Sequence, residues 1–304
     1  MPETPPQFTH GDYTVGWICA LPETELVAAG AMLDDEHPVL AAADPKDTNS
    51  YLLGRIGTHN VVIACLPAEG TGKVNAATVA SNMVRSFKAV RFGLMVGIGG
   101  GAPYYGAKDN TDEPNESKSD EDSEEDVEDI RDIRLGDVVI SLPSKSSEAV
   151  VQYDFGKSVQ ERGFIHTGGK LNKPPNIALN AVSMLRGQHK GRGHKISEQL
   201  SKMVSKYPLM DPEFLYPGSA KDQLFKSKAV HPNGRKSCKA CCGPLDVNLV
   251  KRESRPDDAP RLHYGTIGSA DQVMKDATLR DKWAQEEKIV CFEMEASGNF
   301  SLTL

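Results

Sequence analysis

The sequence predicts an α/β domain. Short apolar runs of strand length recur along the chain, at 13–21, 61–66, 92–96, 138–142, 262–267 and 289–292. Between them lie stretches with helical spacing of apolar residues, and glycine-rich turns follow two of the runs, at 69–73 and 97–101. Strand, helix, strand and glycine loop in that order form a βαβ layout with a ligand-facing turn.

In chain order, residues 1–11 form a Pro-rich, polar flexible leader, and the domain proper spans 12–304. The run at 13–21 fits a buried strand. Pro22 then opens a helix at its first position, with Glu23 and Glu25 in the first turn and Ala28 to Leu33 carrying it on. Residues 51–56 and 61–66 make a hairpin around Gly57. A helix follows 69–73, with Val74, Ala77, Ala80, Val84 and Phe87 on its apolar face, and leads to the strand at 92–96. The stretch 107–130 is crowded with Asp and Glu and is read as a disordered acidic insertion. Strands resume at 138–142 and 149–153. Two helical pieces flank 187–193. Residues 207–260 are a second, irregular insertion, rich in Pro, Lys, Asp and Ser. A strand at 262–267, a helix at 273–287 and a strand at 289–292 close the layout.

At 39% hydrophobic and 25% charged over 304 residues, the chain can build a packed core. The net charge of −7 argues against a basic nucleic-acid surface. No apolar run approaches the ~20 residues of a membrane span, and no secretory signal is visible. Six cysteines in a chain of this size do not form a disulfide scaffold, so the expected location is cytoplasmic.

The last strand runs into Glu293-Met294-Glu295-Ala296-Ser297, which has helix-forming character. Two carboxylates thus stand at the carboxyl end of a strand, where α/β sheets bind ligands. The alternative is a pair of solvated first-turn glutamates. The segment Glu69-Gly70-Thr71-Gly72-Lys73 is not a nucleotide phosphate loop: Val74 stands where a hydroxyl is required, and the first glycine of GxxxxGK[ST] is absent. Gly97, Gly99, Gly100 and Gly101 let a ligand approach the backbone closely. His231, Cys238, Cys241 and Cys242 have partial metal-ligand spacing, but adjacent cysteines fit one tetrahedron poorly, so they are read as free thiols and no metal is assigned. Ser144, Ser146 and Ser147 lack a nucleophile elbow. His263, at the start of a strand, is given no catalytic role.

Five segments in order resemble one family: Val15-Gly16-Trp17-Ile18-Cys19-Ala20-Leu21-Pro22 with Glu23 and Glu25; Gly70-Thr71-Gly72-Lys73-Val74-Asn75; Val96-Gly97-Ile98-Gly99-Gly100; Arg134-Leu135-Gly136-Asp137-Val138; and Phe292-Glu293-Met294-Glu295-Ala296. They are similar to the nucleoside phosphorylase/nucleosidase superfamily, and in particular to the nucleoside phosphorylase-like domain common in filamentous fungi. The resemblance implies a three-layer α/β/α fold with a mixed central sheet, and cleavage of a purine N-glycosidic bond. By motif, Glu295 would bind ribose hydroxyls near the oxocarbenium, Met294 would pack on the sugar and Glu293 would assist. Glu25 or Glu23 would orient the attacking water, the spacing around Pro22 leaving both open. Gly97, Ile98 and Gly99 would line the sugar, with Val273 and Met274 against the base; the alternative for these two is helix core. Met95 and Ile98 stand where phosphorolytic members carry Arg and Ser or Thr, so water is favoured over phosphate. Relative to the family the chain lacks a C-terminal strand and the aspartate that protonates the base; Asp271 is the nearest substitute by motif order. The implied partner is a small nucleoside or nucleotide, with no cofactor and with homo-oligomers common among members. A catalytically degenerate nucleoside-binding sensor is the competing reading.

Overall fold

The computed structural model describes residues 8–41, 43–105, 130–161, 163–171, 173–211, 213–231, 237 and 245–298. The acidic stretch and the Cys238, Cys241 and Cys242 cluster lie outside these residues, apart from Ile130.

The protein is an α/β structure with two mixed sheets and flanking helices. In the first sheet, β1 (Val15–Cys19) is central and pairs in parallel with β4 (His59–Cys65) and β5 (Phe92–Met95). β3 (Tyr51–Ile56) joins β4 as an antiparallel hairpin, and β2 (Asp35–Glu36) adds to β3, giving the order β2-β3-β4-β1-β5. Ile56 pairs directly with His59, so the hairpin turn is two residues long and Gly57 takes a left-handed φ of 59°.

Alternation along β1 sends side chains to both faces. Ile18 joins Val62, Ala64 and the helix α2 (Lys73–Ser86) in one core. Val15 and Trp17 join Val61, Ile63 and the helix α1 (Val27–Ala31) in another. The sheet is therefore sandwiched between α1 and α2. Gly16 is required by this packing, since a Cβ there would lie 2.7 Å from Met83 Sδ. The α2 face differs from the sequence expectation. Ala76, Val79, Ala80, Met83 and Phe87 are buried, while Val74 is 71% exposed. Its first turn is tied to loops rather than to the sheet, which rotates the apolar stripe by a fraction of a turn.

The chain leaves β5 through Gly97–Gly99 and enters the second sheet as β6 (Gly100–Gly101), read from sequence as loop. That sheet is built on β12 (Leu262–Ser269). Its first half pairs in parallel with β7 (Val138–Ser141) and its second half with β8 (Val150–Gln152); β13 (Ile289–Glu293) lies on its other side. β11 (Gly169–Lys170) and β6 close the edges, giving β11-β8-β12-β13-β6. A separate hairpin, β9 (Gly156–Val159) with β10 (Gly163–His166), was not legible from its glycine-rich sequence.

Further helices are α3 (Asn176–Arg192), α4 (Ile196–Lys206), α5 (Leu245–Asn248) and α6 (Ala277–Glu286). α3 runs through Gly187 and Gly191 and ends only where Gly193 adopts a φ of 71°, so the expected break at 187–193 shrinks to one C-terminal glycine. α6 begins four residues later than expected, because Asp276 accepts the Leu279 N–H at 2.9 Å and caps it there.

The stretch 207–260 is irregular, but its described part is stitched down. Arg255 makes a two-pronged contact with the fully buried carboxylate of Asp137 at 2.7 and 2.8 Å. Arg252 pairs with Asp222, both nearly buried. His263 Nε2 lies 2.8 Å from Asp137 as well, so its role is structural.

Candidate active site at the carboxyl ends of the parallel strands

The loops that follow β1, β4, β5, β8, β12 and β13 meet on one side of the sheets. Each contributes one partner to a set of hydrogen bonds between loops distant in sequence, as expected for a ligand crevice in an α/β protein.

Glu25 is the first partner. Residues Pro22–Leu26 form a π-helical turn, in which the Leu26 N–H reaches back to Leu21 O at 3.0 Å. A π-turn absorbs one extra residue. Across this turn Glu25 faces inward and is buried, and Glu23 is exposed. Glu25 Oε2 accepts from Ala20 N at 2.6 Å and Leu21 N at 3.1 Å, and Oε1 accepts from Ile98 N at 2.7 Å. Three of about four acceptor positions on the carboxylate are thereby filled by backbone. Gly97 must be glycine here, because a Cβ would lie 2.7 Å from Glu25 Oε1. At Gly99 a Cβ would collide with Cys291 Sγ.

Glu295 is the second. It is buried, and its Oε1 accepts the Gly72 N–H at 3.1 Å while Oε2 accepts the Met294 N–H at 3.2 Å. One acceptor position on each oxygen is left. Burial pushes its carboxyl above the ordinary glutamate range, and the charges of Glu25 and Asp271 add to the effect.

Glu293 supports the turn. Its Oε2 accepts the N–H groups of Glu295 and Ala296 at 2.9 and 2.8 Å. The helix expected here is only a 3-10 turn, Ala296–Gly298, within the described residues. Its Oε1 is buried without a protein hydrogen-bond partner among those residues, and burial raises this carboxyl too. Ser269 and Ser297, neither foreseen, form a buried pair behind it at 3.0 Å.

The remaining expected residues divide. Met294 is half-buried beside Glu295. Ile98 is 67% and Val273 61% exposed, on the glycine loop and on the loop after β12. Val273 is therefore not helix core. Met274 packs against the second-sheet core of Ala102, Tyr153 and Trp283 from that loop, not from the helix. Asp271 binds Lys73 with both oxygens, to the backbone N at 3.0 Å and to Nζ at 3.1 Å, the arrangement of an acceptor rather than a proton donor. Asp154, missed in the sequence, holds the same ammonium at 3.1 Å. The signal that could have found it is the one that marked Glu293: a carboxylate just past a short apolar strand.

Comparisons with known proteins place this geometry in context. No family model matches the chain. It is 40% identical over 294 residues to a nucleotide-binding leucine-rich repeat (NLR)-like protein of Hyaloscypha variabilis, a match covering 96% of this chain. The chain spans about a quarter, 26%, of that relative's length. Among solved structures it is similar to the 5′-methylthioadenosine/S-adenosylhomocysteine nucleosidase of Neisseria meningitidis bound to methylthio-immucillin-A, with a TM-score of 0.43 and 16% identity, covering 94% of this chain and 77% of that one. It is also similar to futalosine hydrolase of Helicobacter pylori, with a TM-score of 0.41 and 16% identity, covering 95% and 78%. No helix among the described residues is long and apolar enough to cross a membrane.

Proposed function

We propose that the chain binds a purine nucleoside or nucleotide and cleaves its N-glycosidic bond with water. The observation that carries the reading is the pair of buried carboxylates, Glu25 and Glu295. Each accepts backbone N–H groups of its own turn and one from the loop after another strand, Ile98 for Glu25 and Gly72 for Glu295, and each keeps acceptor capacity for a ligand.

In this reading the ribose hydroxyls donate to the open positions on Glu295, whose charge also faces the positive charge that develops on the sugar. Such a carboxylate is most effective in a buried site, where water does not screen it. The open position on Glu25 accepts a proton from the attacking water. Gly97 and Gly99 keep the floor of the crevice free of side chains, while Ile98, Met294 and Val273 offer apolar contact to sugar and base. Met95 packs into the first core, where a phosphorolytic site would need a cation. That supports water as the nucleophile.

A second reading has one specific observation behind it. Asp271, the expected substitute for a base-protonating acid, is tied to Lys73, and the chain matches about a quarter of a much longer NLR-like relative. A nucleoside-binding sensor module within a larger protein fits both facts. Incubation with adenosine, methylthioadenosine or ATP, followed by chromatography for free base, separates the two. Base released in phosphate-free buffer is the expected result. Base released only with phosphate overturns hydrolysis. Calorimetric binding without base release favours the sensor, and neither binding nor release rejects the site.

A further inference from the structure

The first turn of α2 carries a second group of contacts that the proposed chemistry does not use. Lys73 Nζ sits 3.1 Å from Asp154 Oδ2 and 3.1 Å from Asp271 Oδ2. Asp154 comes from the loop after β8 and Asp271 from the loop after β12. Asp154 also accepts from Gln152 Nε2 at 2.7 Å and from the backbone N–H of Asp271 at 3.1 Å. Two of the N–H groups left free at the start of α2 go to carboxylates: Gly72 N donates to Glu295 and Lys73 N to Asp271. The fit is close. A Cβ on Gly72 would lie 2.7 Å from Asp271 Oδ1, and one on Gly298 would overlap Lys73 O.

The charges around Glu295 make this ammonium consequential. Glu25 faces it from the loop after β1, Asp271 from the loop after β12 and Glu293 from its own turn, with Asp154 behind Asp271. Of the charged side chains in these contacts, Lys73 alone is a cation. Burial alone would lower its own proton affinity, but the two aspartates outweigh that and raise it.

We propose that Lys73 is a positioning residue for this site: its ammonium draws the loops after β8 and β12 onto the first turn of α2, holds the Gly72 N–H against Glu295 and offsets the acidic groups around it. The inference rests on the reading in which Glu295 holds the ribose. Removing the cation leaves Asp154 and Asp271 repelling each other beside Glu295. Like charges favour the protonated carboxyl, and a protonated Glu295 loses acceptor capacity for ribose hydroxyls.

The test uses the full chain with carbon-13 glutamate, the Glu295 signal being assigned by its loss in Glu295→Gln. The titration midpoint of Glu295 and the calorimetric affinity for adenosine are measured in the wild type, Lys73→Met and Lys73→Arg. In Lys73→Met the midpoint is expected to rise by about one pH unit or more, and adenosine binding measured at a pH below the wild-type midpoint to weaken about tenfold. Lys73→Arg, which keeps the charge, should stay within about threefold of wild type. Where Lys73→Met does not fold, Lys73→Gln carries the same comparison. A folded, charge-removing variant with an unmoved midpoint overturns the proposal. If the midpoint moves but the wild type binds no adenosine, the positioning role stands and the ribose reading falls.

Discussion

Glu25 Oε1 accepts the backbone N–H of Ile98 at 2.7 Å, which ties the loop after the first strand to the glycine loop after the fifth. The same carboxylate accepts from Ala20 and Leu21. It is a structural fastener, and in the proposed hydrolysis the same group would orient the water. Glu25→Gln puts an amide NH₂ where the backbone N–H groups need an acceptor. It is expected to cost about 1–3 kcal/mol of stability in urea unfolding and to abolish base release. Glu23→Gln, at an exposed position, should leave both measurements at wild-type values. Equal losses in the two variants would contradict the placement of Glu25.

Gly97→Ala tests the same contact from the other side. The new Cβ would stand 2.7 Å from Glu25 Oε1, with the remaining carboxylate atoms 3.0 Å away. The glycine loop or the π-turn must shift, so base release under the proposed hydrolysis should fall by at least about tenfold. Overpacking of this kind costs about 1–3 kcal/mol of stability. Gly57→Ala is the control: open space surrounds that position, so only the strain of its left-handed φ is felt and activity should be retained. Base release and thermal unfolding of both variants decide the point.

Much of this was readable from the sequence, for identifiable reasons. The strands at 15–19, 59–65 and 289–293 are short, apolar and bounded by turn residues, so local pattern and burial agree. The position of Glu293–Glu295 at the carboxyl end of a strand was legible because the apolar run 289–292 precedes it. What was not legible depends on contacts between distant residues. Asp154 and Lys73 are 81 positions apart, and Gly72 and Glu295 are 223 apart. Which of Glu23 and Glu25 is buried depends on the π-turn, which is set by the Leu26 N–H reaching Leu21 O and has no sequence signature of its own. The phase of α2 was misjudged because Val74 looks like a core residue, while the turn it occupies is committed to Glu295 and Asp271. Residues 207–260 looked loose because Arg252 and Arg255 find their acidic partners far from the helical or strand spacing that a local reading detects.

The two raised carboxyls set the sign of a pH effect on stability. Burial lifts Glu293 and Glu295 above the ordinary glutamate range. In the window between the ordinary and the raised value, the folded chain binds more protons than the unfolded one. Stability therefore falls as pH rises through that window, by at most about 1.4 kcal/mol per pH unit for each group. Glu293→Gln should flatten the slope in urea midpoints measured across the mildly acidic range. Binding runs the other way: if ionised Glu295 holds the ribose, affinity for adenosine should fall on acidification, at a pH above the ordinary glutamate value. A slope that is unchanged in Glu293→Gln would show that this carboxyl is not held protonated.

Asp137 has the opposite sign. Burial alone would raise it, but hydrogen bonds from Arg255 and His263 and from the backbone of Arg261 and Arg134 hold it well below the usual carboxylate range. Its contribution is present above the unfolded-state value and is lost as pH falls. Breaking a buried pair by removing one charge strands the other, so Asp137→Asn is expected to cost about 3–5 kcal/mol. The loss should be local first, because Arg255 ties the stretch 207–260 to Asp137 and to the carbonyl of Asp132, just before β7. Limited proteolysis of Asp137→Asn should cut within 207–260 at protease levels that leave the wild type whole. The first sheet, with Glu25 and Ile98, should keep its protection in hydrogen exchange. Uniform loss of protection across both sheets would show instead that Asp137 supports the whole fold, and that the second insertion is integral to it rather than pinned onto it.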